Sequence, residues 1–543
     1  MPSRLKPRSD GESGREAEAR GARVAELVGL VLALGAEEVP GLSVRERALL
    51  NGAERAAAAS VRRARERIRA GADPLGDALS ALRSAAERRA IGAVYTPGVI
   101  VRAMVRWAAR RSAGRVIDPG VGSGRFLIAA GHALPGAELV AVDTDPMATL
   151  LTRANLAAHG LARRARVVNG DFRRLRLPPI QEPSLFLGNP PYVRHHDLRP
   201  SDKRWLVASA HRLGVRASAL AGLHAHFFVA TALAARVGDF GALITSAEWL
   251  DVNYGSLVRE LFLERLGGVA LHLIEPRARP FAEADTTAVI ACFAVGERPA
   301  KIRFRTLASS AALGGLSGGQ PVPRAELAQS SRWSVLIHGA PARPSGYVEL
   351  GELVRVHRGQ VTGDNATWVL ARDERGLPER CHFPAITRAR ELFAAGPVLA
   401  DLSQLKRVLD LPADLDELGG PERRSVEAFL RAAERRGVHR GFVARHRRAW
   451  WAVGLRAPAP ILATYMARRP PAFVRNPHGA RHINIAHGLY PREPIAAPLL
   501  DALARYLSLH TSVTSGRTYA GGLTKFEPRE MERLVVPGLD LLR

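Results

Sequence analysis

The middle of the sequence predicts a doubly wound α/β fold, and the rest of the chain predicts a second domain. From Val116 to about Ala300, short apolar runs alternate with helical ones, beginning with "RVID", "GRFLIAAGHAL" and "ELVAVD". Strands separated by helices of this length imply right-handed crossovers and a parallel sheet, with ligands outside the carboxyl ends of the strands. Beyond Ala300 the alternation stops, and the chain becomes irregular and rich in Pro, Gly and Arg.

Three regions are expected, because 543 residues exceed one ordinary hydrophobic core. Residues 1–90 are rich in Ala, Arg and Glu and predict a helical N-terminal segment in which no chemistry is visible. Residues 91–305 contain the alternation of strands and helices. Residues 306–543 are expected to form a C-terminal domain of mixed α+β structure.

The net charge predicts a polyanionic partner. The chain has 78 Lys and Arg against 52 Asp and Glu, which gives a formal charge of +26. Most of the basic residues are arginine, which is typical of GC-rich coding and reduces the weight of the charge argument. Cys292 and Cys381 are far apart and form no CxxC pattern, which argues against both a disulfide framework and a thiolate zinc site. No export signal or membrane segment is visible, and we expect a cytoplasmic protein.

The first strand of the alternation ends in a glycine-rich turn, "DPGVGSGRF". Asp118 is followed by Gly120, Gly122 and Gly124, which let a ligand approach the backbone where a helix begins. The spacing is GxGxG, so it matches neither the GxGxxG of a dinucleotide site nor a P-loop. Alone, such a turn is a weak indication of a ligand site.

The next two strands also end in acids, which strengthens the ligand interpretation. Asp143 ends the second strand, where a carboxylate can accept both hydroxyls of a ribose. Asp171 and Phe172 follow the third strand, where an acid can accept from the exocyclic amine of an adenine and a ring can pack on its face. Each acid alone is more often a helix N-cap. Together they predict a nucleoside cofactor.

The fourth strand ends in "LGNPPYVRHH", whose prolines cannot continue a sheet ladder. The strand must therefore end near Gly188 and expose Asn189, Pro190, Pro191 and Tyr192. The Asn189 side-chain oxygen and the Pro190 carbonyl can accept two hydrogen bonds from a planar NH₂ group, which frees the nitrogen lone pair. Tyr192 can stack on the base that carries the amine. An ordinary Asn-Pro turn is the structural alternative.

In this order, the four strand ends resemble the S-adenosylmethionine-dependent amino-methyltransferases. They are most similar to the gamma class of adenine-N6 DNA methyltransferases, to which the TaqI modification enzyme belongs. The resemblance implies a Rossmann-like methyltransferase sheet over residues 91–305 and S-adenosyl-L-methionine as cofactor. "VYTPGVIVRAMV" matches an upstream segment, which implies that Thr96 and Pro97 lie near the methionine end of the cofactor. "FAEADTTAVIACF" matches the last-strand motif, which implies that Phe281 stacks on a flipped base opposite Tyr192.

The resemblance also implies an activity. "RGQVTGDNATWVL" and "GGLTKFEPREMERLVVP" resemble the edges of a target-recognition region, so residues 306–543 would choose the site in double-stranded DNA. The expected enzyme is a monomer that methylates the N6 amine of adenine in a restriction–modification or phage-defence setting, where a separate restriction endonuclease is a candidate partner. It needs no metal. Two alternatives stay open: a methyltransferase acting on RNA or on a protein glutamine, and a non-catalytic DNA-binding specificity module.

Overall fold

A computed structural model shows two compact units, Met1–Ala340 and Pro341–Arg543. The described residues are 10–84, 87–88, 91–92, 95–275, 287–307, 309–314, 316–334, 336, 344–371, 376–467, 469–513, 516–519 and 523–542.

The first unit is built on a nine-stranded sheet in the order β3-β2-β1-β4-β5-β7-β6-β8-β9. Its strands are β1 (Arg115–Pro119), β2 (Glu138–Asp143), β3 (Ala165–Asn169), β4 (Ser184–Gly188), β5 (Phe240–Ser246), β6 (Gly268–Ile274), β7 (Ala288–Ala294), β8 (Lys301–Leu307) and β9 (Gln320–Pro323). The first five strands pair with one another in parallel, as the helical crossovers predict. β7 lies antiparallel between β5 and β6, so the sheet is mixed rather than parallel throughout. The sequence has no helical run between β6 and β7. A helical crossover is what predicts that two successive strands are parallel, so the sequence makes no such prediction for this pair.

The sequence places the end of the α/β domain at residue 305, which falls inside β8. The first compact unit continues to Ala340. β8 pairs with β6, β9 pairs with β8, and Trp333 is fully buried against Phe262 and Phe304. The sequence does not predict β8 as a strand of this sheet. Its buried Ile302 and Phe304 alternate with charged residues, which is the pattern of a half-exposed strand and not of a continuous apolar run.

The helices of the first unit cover both faces of the sheet. Successive residues of a strand point to opposite faces, so Val116 and Leu139 belong to one buried cluster and Ile117 and Val140 to the other. The helices are Asp10–Ala33, Val44–Leu50, Ala58–Arg69, Pro74–Leu82, Gly98–Ala108, Arg125–Ala133, Pro146–Ala158, Pro200–Arg212, Leu223–Ala234, Ser256–Glu264 and Arg324–Gln329.

The N-terminal segment is helical, as its composition predicts, and it packs against the helix Pro146–Ala158 through a shared apolar cluster. A buried ion pair fixes the same contact, because Arg153 Nε donates to Glu46 Oε1 at 2.8 Å. The remaining donors of this guanidinium bind backbone carbonyls, including that of Val167 on β3. The segment is therefore part of the first unit and not an appendage.

The second unit is a mixed α+β domain with four small sheets, β10-β22, β11-β19-β15-β17, β12-β14-β13-β18 and β16-β21-β20. Its strands are β10 (Tyr347–Glu349), β11 (Val354–Arg358), β12 (Val369–Leu370), β13 (His382–Ile386), β14 (Lys406–Leu409), β15 (Ile461–Thr464), β16 (Met466–Ala467), β17 (Phe473–Arg475), β18 (Arg481–His482), β19 (Ala486–Pro491), β20 (Arg517–Tyr519), β21 (Leu523–Lys525) and β22 (Val535–Pro537). Its helices are Leu350–Leu353, Asn365–Trp368, Ala389–Ala394, Gly420–Arg435, Phe442–Arg445, Ala497–His510 and Pro528–Glu532.

The α/β fold with an N-terminal helical segment and a C-terminal domain is thus confirmed. Within the described part of the chain, no helix has the length and apolar character needed to cross a membrane.

Candidate active site

The glycine turn after β1 leaves an open space beside its backbone. Gly120, Gly122 and Gly124 all have positive φ, at 85°, 57° and 93°. A Cβ built on Gly122 would meet no atom within 4 Å. A Cβ built on Gly120 would lie 3.4 Å from Cδ of Pro191, so the Asn-Pro-Pro-Tyr loop runs directly alongside this turn.

Asp143 at the end of β2 is tied to the same turn. Its Oδ2 accepts a hydrogen bond from the Gly122 N–H at 3.0 Å, and its Oδ1 accepts one from the Asp145 N–H at 3.0 Å. Burial raises the pKa of the Asp143 carboxyl above its usual value. Each carboxylate oxygen has two lone pairs, so each can still accept a bond from a ligand hydroxyl.

Asp118 is a buried acid with only 1% of its surface exposed. Among the described residues, no side chain donates a hydrogen bond to either carboxylate oxygen, and the backbone N–H of Leu127 favours the charged form only as the smallest of the influences on this acid. Burial, and next the charge of Asp143, raise the pKa of Asp118 well above its usual value. A buried acid of this kind must keep its proton or meet a positive charge. The site therefore suits a ligand that carries an ammonium group.

The Asp171 carboxylate already binds a protein side chain, Arg173, and its sequence context did not indicate this contact. Its carboxylate accepts hydrogen bonds from Arg173 Nε at 3.0 Å and Nη2 at 2.8 Å, and it caps the backbone N–H of the same residue. Burial opposes ionisation, but the bonds from Arg173 hold the pKa of Asp171 below its usual value. Phe172 is buried and stacks on Phe227, with ring centroids 5.7 Å apart. Contact of Asp171 and Phe172 with an adenine stays a prediction, and it requires Arg173 to share the carboxylate.

Arg173 belongs to a cluster that sequence reasoning missed. Its Nη2 also pairs with Asp202 at 2.8 Å, and its guanidinium carbon lies 5.4 Å from the ring centroid of Trp205. The ring of His226 stacks on Trp205, and burial, followed by the charge of Arg173, lowers the pKa of His226 to about 4. These partners come from two later helices, so no local motif connects them to Asp171.

β4 ends at Gly188, as its two prolines predict, and the Asn-Pro-Pro-Tyr loop follows. Asn189 Nδ2 donates a hydrogen bond to the Thr96 hydroxyl oxygen at 2.9 Å. The Tyr192 N–H donates to the Gly92 carbonyl at 3.0 Å. A Cβ on Gly92 would lie 2.5 Å from the Tyr192 nitrogen, so only glycine fits here. This contact was missed, although the glycine in "IGAVYTP" was a visible signal.

The structure thus brings Thr96, the glycine turn, Asp143 and Asn189 together at the carboxyl edge of the sheet. Pro97 directly precedes the helix Gly98–Ala108 as its N-cap. Phe281 lies outside the described residues. Among the residues that the structure does describe, no group of His, Cys, Asp and Glu is arranged to hold a metal ion.

Comparison with known proteins matches both units. Residues 72–221 match the N-6 DNA methylase family, and residues 341–542 match the C-terminal domain of the type II methyltransferase M.Eco57I. The chain is 53% identical over 452 residues to the type II methyltransferase M.XamI of Xanthomonas campestris pv. amaranthicola, covering 83% of this chain and 86% of that protein. It is 22% identical over 374 residues to the type II methyltransferase M.AccI of Acinetobacter calcoaceticus, covering 65% and 69%.

A solved structure shows the same fold. The type IIL restriction–modification enzyme MmeI, determined in complex with DNA, superimposes with a TM-score of 0.54 at 14% identity, covering 84% of this chain and 70% of that chain. The fold, the residues at the carboxyl ends of its strands and these matches together define a methyltransferase. The chain belongs to the type II adenine-N6 DNA methyltransferases of restriction–modification systems. The expectation of a site-specific adenine-N6 DNA methyltransferase in a restriction–modification setting is confirmed.

Proposed function

We propose that the protein transfers the methyl group of S-adenosyl-L-methionine to the N6 amine of an adenine that has rotated out of double-stranded DNA. Asn189, Pro190, Pro191 and Tyr192 carry the chemistry. The observation that supports this most strongly is the 2.9 Å hydrogen bond from Asn189 Nδ2 to the Thr96 hydroxyl. It turns the amide nitrogen towards Thr96 and the amide oxygen away from it, while the loop lies alongside the glycine turn.

The residues at the strand ends fit this cofactor. The buried carboxylate of Asp118 suits its ammonium group, and the two oxygens of Asp143 suit the vicinal hydroxyls of its ribose. The open space beside Gly122 lets a ligand approach the backbone. The Thr96 carbonyl accepts a hydrogen bond from Arg125, directly after the same turn, and Pro97 follows Thr96 in the chain; the family resemblance implies that both lie near the methionine end of the cofactor. When bound, this cofactor supplies a methyl group attached to a positively charged sulfur.

Asn189 and Pro190 make the target amine reactive. The nitrogen lone pair of an adenine amine is delocalised into the ring, so the amine is a poor nucleophile. The Asn189 amide oxygen and the Pro190 carbonyl would accept hydrogen bonds from its two N–H groups, and the amine would lose one of these protons to solvent as it gains the methyl group. These bonds are strongest when the nitrogen becomes tetrahedral, so they stabilise the transition state more than the bound substrate.

Tyr192 holds the flipped base. The amine is inaccessible inside a duplex, so the base must rotate out at a cost of a few kcal/mol. Stacking on an aromatic face recovers about 1–3 kcal/mol per base. The backbone of Tyr192 is fixed by its hydrogen bond to Gly92, and its half-buried side chain packs against the apolar cluster that contains Val116 and Leu139. By the resemblance, Phe281 covers the opposite face of the base.

The C-terminal unit chooses the DNA site. Sequence reading needs side chains in a groove and phosphate contacts that fix the register. This unit has one basic segment whose arginines at 435, 440, 445 and 448 are all exposed, and the same segment contains Phe442, which is 73% exposed. The C-terminal unit follows the whole catalytic unit in the chain, and this order of motifs is the one found in the gamma class.

Labelled methyl transfer tests the proposal. Duplex DNA of diverse sequence is incubated with the protein and S-adenosyl-L-methionine carrying a deuterated methyl group, and the digested nucleosides are analysed by mass spectrometry. We expect label only in N6-methyladenine, at one sequence context. Label in N4-methylcytosine, or transfer to RNA in preference to DNA, would contradict it.

A further inference from the structure

The N-terminal segment contributes a buried carboxylate to the edge of the cofactor site. Asp73 is 5% exposed, and its Oδ1 caps the helix Pro74–Leu82 by accepting from the Gly76 N–H at 2.9 Å. Its Oδ2 accepts from Arg125 Nε at 2.9 Å and from the Ser123 hydroxyl. Ser123 belongs to the glycine turn after β1, and Arg125 begins the helix that follows this turn. Asp73 therefore fixes this turn from outside the sheet.

Arg125 extends the connection to the catalytic loop. Its Nη1 donates to the Thr96 carbonyl at 3.1 Å, and its guanidinium carbon lies 3.5 Å from the ring centroid of Tyr95. The Thr96 hydroxyl in turn accepts from Asn189 Nδ2 at 2.9 Å. A continuous chain of contacts thus runs from Asp73 through Arg125 and Thr96 to Asn189. Every contact in it lies within the first compact unit.

The surroundings of Asp73 favour this one arrangement. A Cβ on Gly76 would lie 2.3 Å from Asp73 Oδ2, so the carboxylate occupies space that any other residue at position 76 would fill. A guanidinium is planar and offers donors in a rigid fork, so a carboxylate at Nε sets the direction in which Nη1 points. Loss of the charge at Asp73 would let the Arg125 guanidinium rotate and weaken its hydrogen bond to the Thr96 carbonyl.

Two further contacts keep the N-terminal segment in place beside the cofactor site. Arg83 pairs with Asp145, the residue whose N–H binds Asp143. Arg45 Nη1 donates to the carbonyl of Thr144 at 3.0 Å. The segment therefore contacts the loops after both β1 and β2.

We propose that Asp73 is a positioning residue for methyl transfer: through Arg125 and Thr96 it sets the orientation of the Asn189 amide. This inference rests on the proposed role of Asn189. It gives the N-terminal segment, in which the sequence shows no chemistry, a direct part in the reaction.

Asp73→Asn is the decisive variant, because it keeps the size and the capping oxygen of the side chain and removes its charge. We expect kcat for N6-methyladenine formation to fall by about 10-fold or more, since small misplacements of a reacting group carry penalties of this order. The Kd for S-adenosyl-L-methionine should rise by a smaller factor than the fall in kcat, because the bonds from the Gly120 and Gly122 N–H groups that shape the turn do not involve Asp73. Asp77→Asn, at an exposed position on the same helix, is the matched control and should keep the wild-type kcat.

Combined variants separate positioning from general support of the fold. In a Thr96→Val background, Asp73→Asn should lower kcat by less than about 2-fold, because the chain is already broken. Arg125→Gln breaks the same chain of contacts at a side chain that is 21% exposed. It is the variant to test if Asp73→Asn does not fold. It should lower kcat as Asp73→Asn does.

Three results would overturn the inference: unchanged kcat in the folded variants, an equal loss in Asp77→Asn, or full additivity with Thr96→Val. Failure of the wild-type protein to form N6-methyladenine would instead overturn the proposed function.

Discussion

Gly122→Ala adds a single methyl group at the point where we place the cofactor. The Gly122 backbone has a φ of 57°, and an added Cβ would meet no protein atom within 4 Å. Gly160, at the end of the helix Pro146–Ala158, has a φ of 71° and equally open surroundings. The two glycines are therefore a matched pair that differ in whether a ligand lies beside them.

The expected magnitudes follow from this geometry. A left-handed conformation costs a residue other than glycine roughly 1–2 kcal/mol, so both variants should lose similar stability. Only the Gly122 methyl group projects towards the bound cofactor. Crowding by an added methyl group typically costs about 1–3 kcal/mol, which corresponds to a Kd increase of about 5- to 150-fold.

Isothermal calorimetry with S-adenosyl-L-methionine and thermal unfolding of both variants measure these two quantities. We expect matched melting temperatures, weakened cofactor binding in Gly122→Ala, and wild-type binding in Gly160→Ala. Equal Kd values for the two variants would refute the placement of the cofactor against this turn. A much larger loss of stability in Gly122→Ala would show that the methyl group meets protein atoms.

Three other outcomes are expected. Thr96→Val removes the hydroxyl that accepts from Asn189 Nδ2, and loss of one such hydrogen bond costs about 0.5–1.5 kcal/mol, so the methyl-transfer rate should fall about 2- to 13-fold. Thr245→Val, which removes a similar 3.0 Å bond from Trp249 Nε1, should lower only the melting temperature; equal rate losses would contradict this role for Thr96. Asp118→Asn should abolish cofactor binding in calorimetry yet raise the melting temperature at pH 7, because burial and Asp143 raise the pKa of Asp118. That gain should shrink as the pH falls towards the usual carboxyl range, where the unfolded chain also binds the proton, and a pH-independent gain would refute it. Arg440→Gln should reduce the slope of log affinity for DNA against log salt by about 0.9, as expected for one phosphate contact, and an unchanged slope would remove Arg440 from the DNA surface.

The sequence is most informative where function depends on strand ends. Parallel strands bring their carboxyl ends to one edge, so Asp118, Asp143, Asp171 and Asn189 could be placed together from their positions in the chain alone. The glycine spacing similarly predicted a turn before a helix, and the structure shows that all three glycines of this turn have positive φ. The end of β4 could be read from the two prolines, because a proline cannot donate to the ladder.

Contacts between side chains that are far apart in the chain could not be predicted from the sequence. Nothing in the local pattern around Asp171 indicates that Arg173 would bind its carboxylate and also pair with Asp202. Asp73 looks like an ordinary helix cap before "PLGDALSAL", and only the fold shows that its second oxygen holds Arg125. The direction of β7 was equally hidden, because an apolar run is compatible with either direction.

Single-turnover methyl transfer by Asn189→Ala tests the central claim most directly. The labelled transfer assay gives the rate constant, and calorimetry gives the cofactor affinity of the same preparation. We predict a rate about 10²-fold or more below wild type, the usual effect of losing such a transition-state contact, with cofactor Kd nearly unchanged. A variant that keeps more than about a tenth of the wild-type rate would contradict the role of Asn189 and the mechanism built on it.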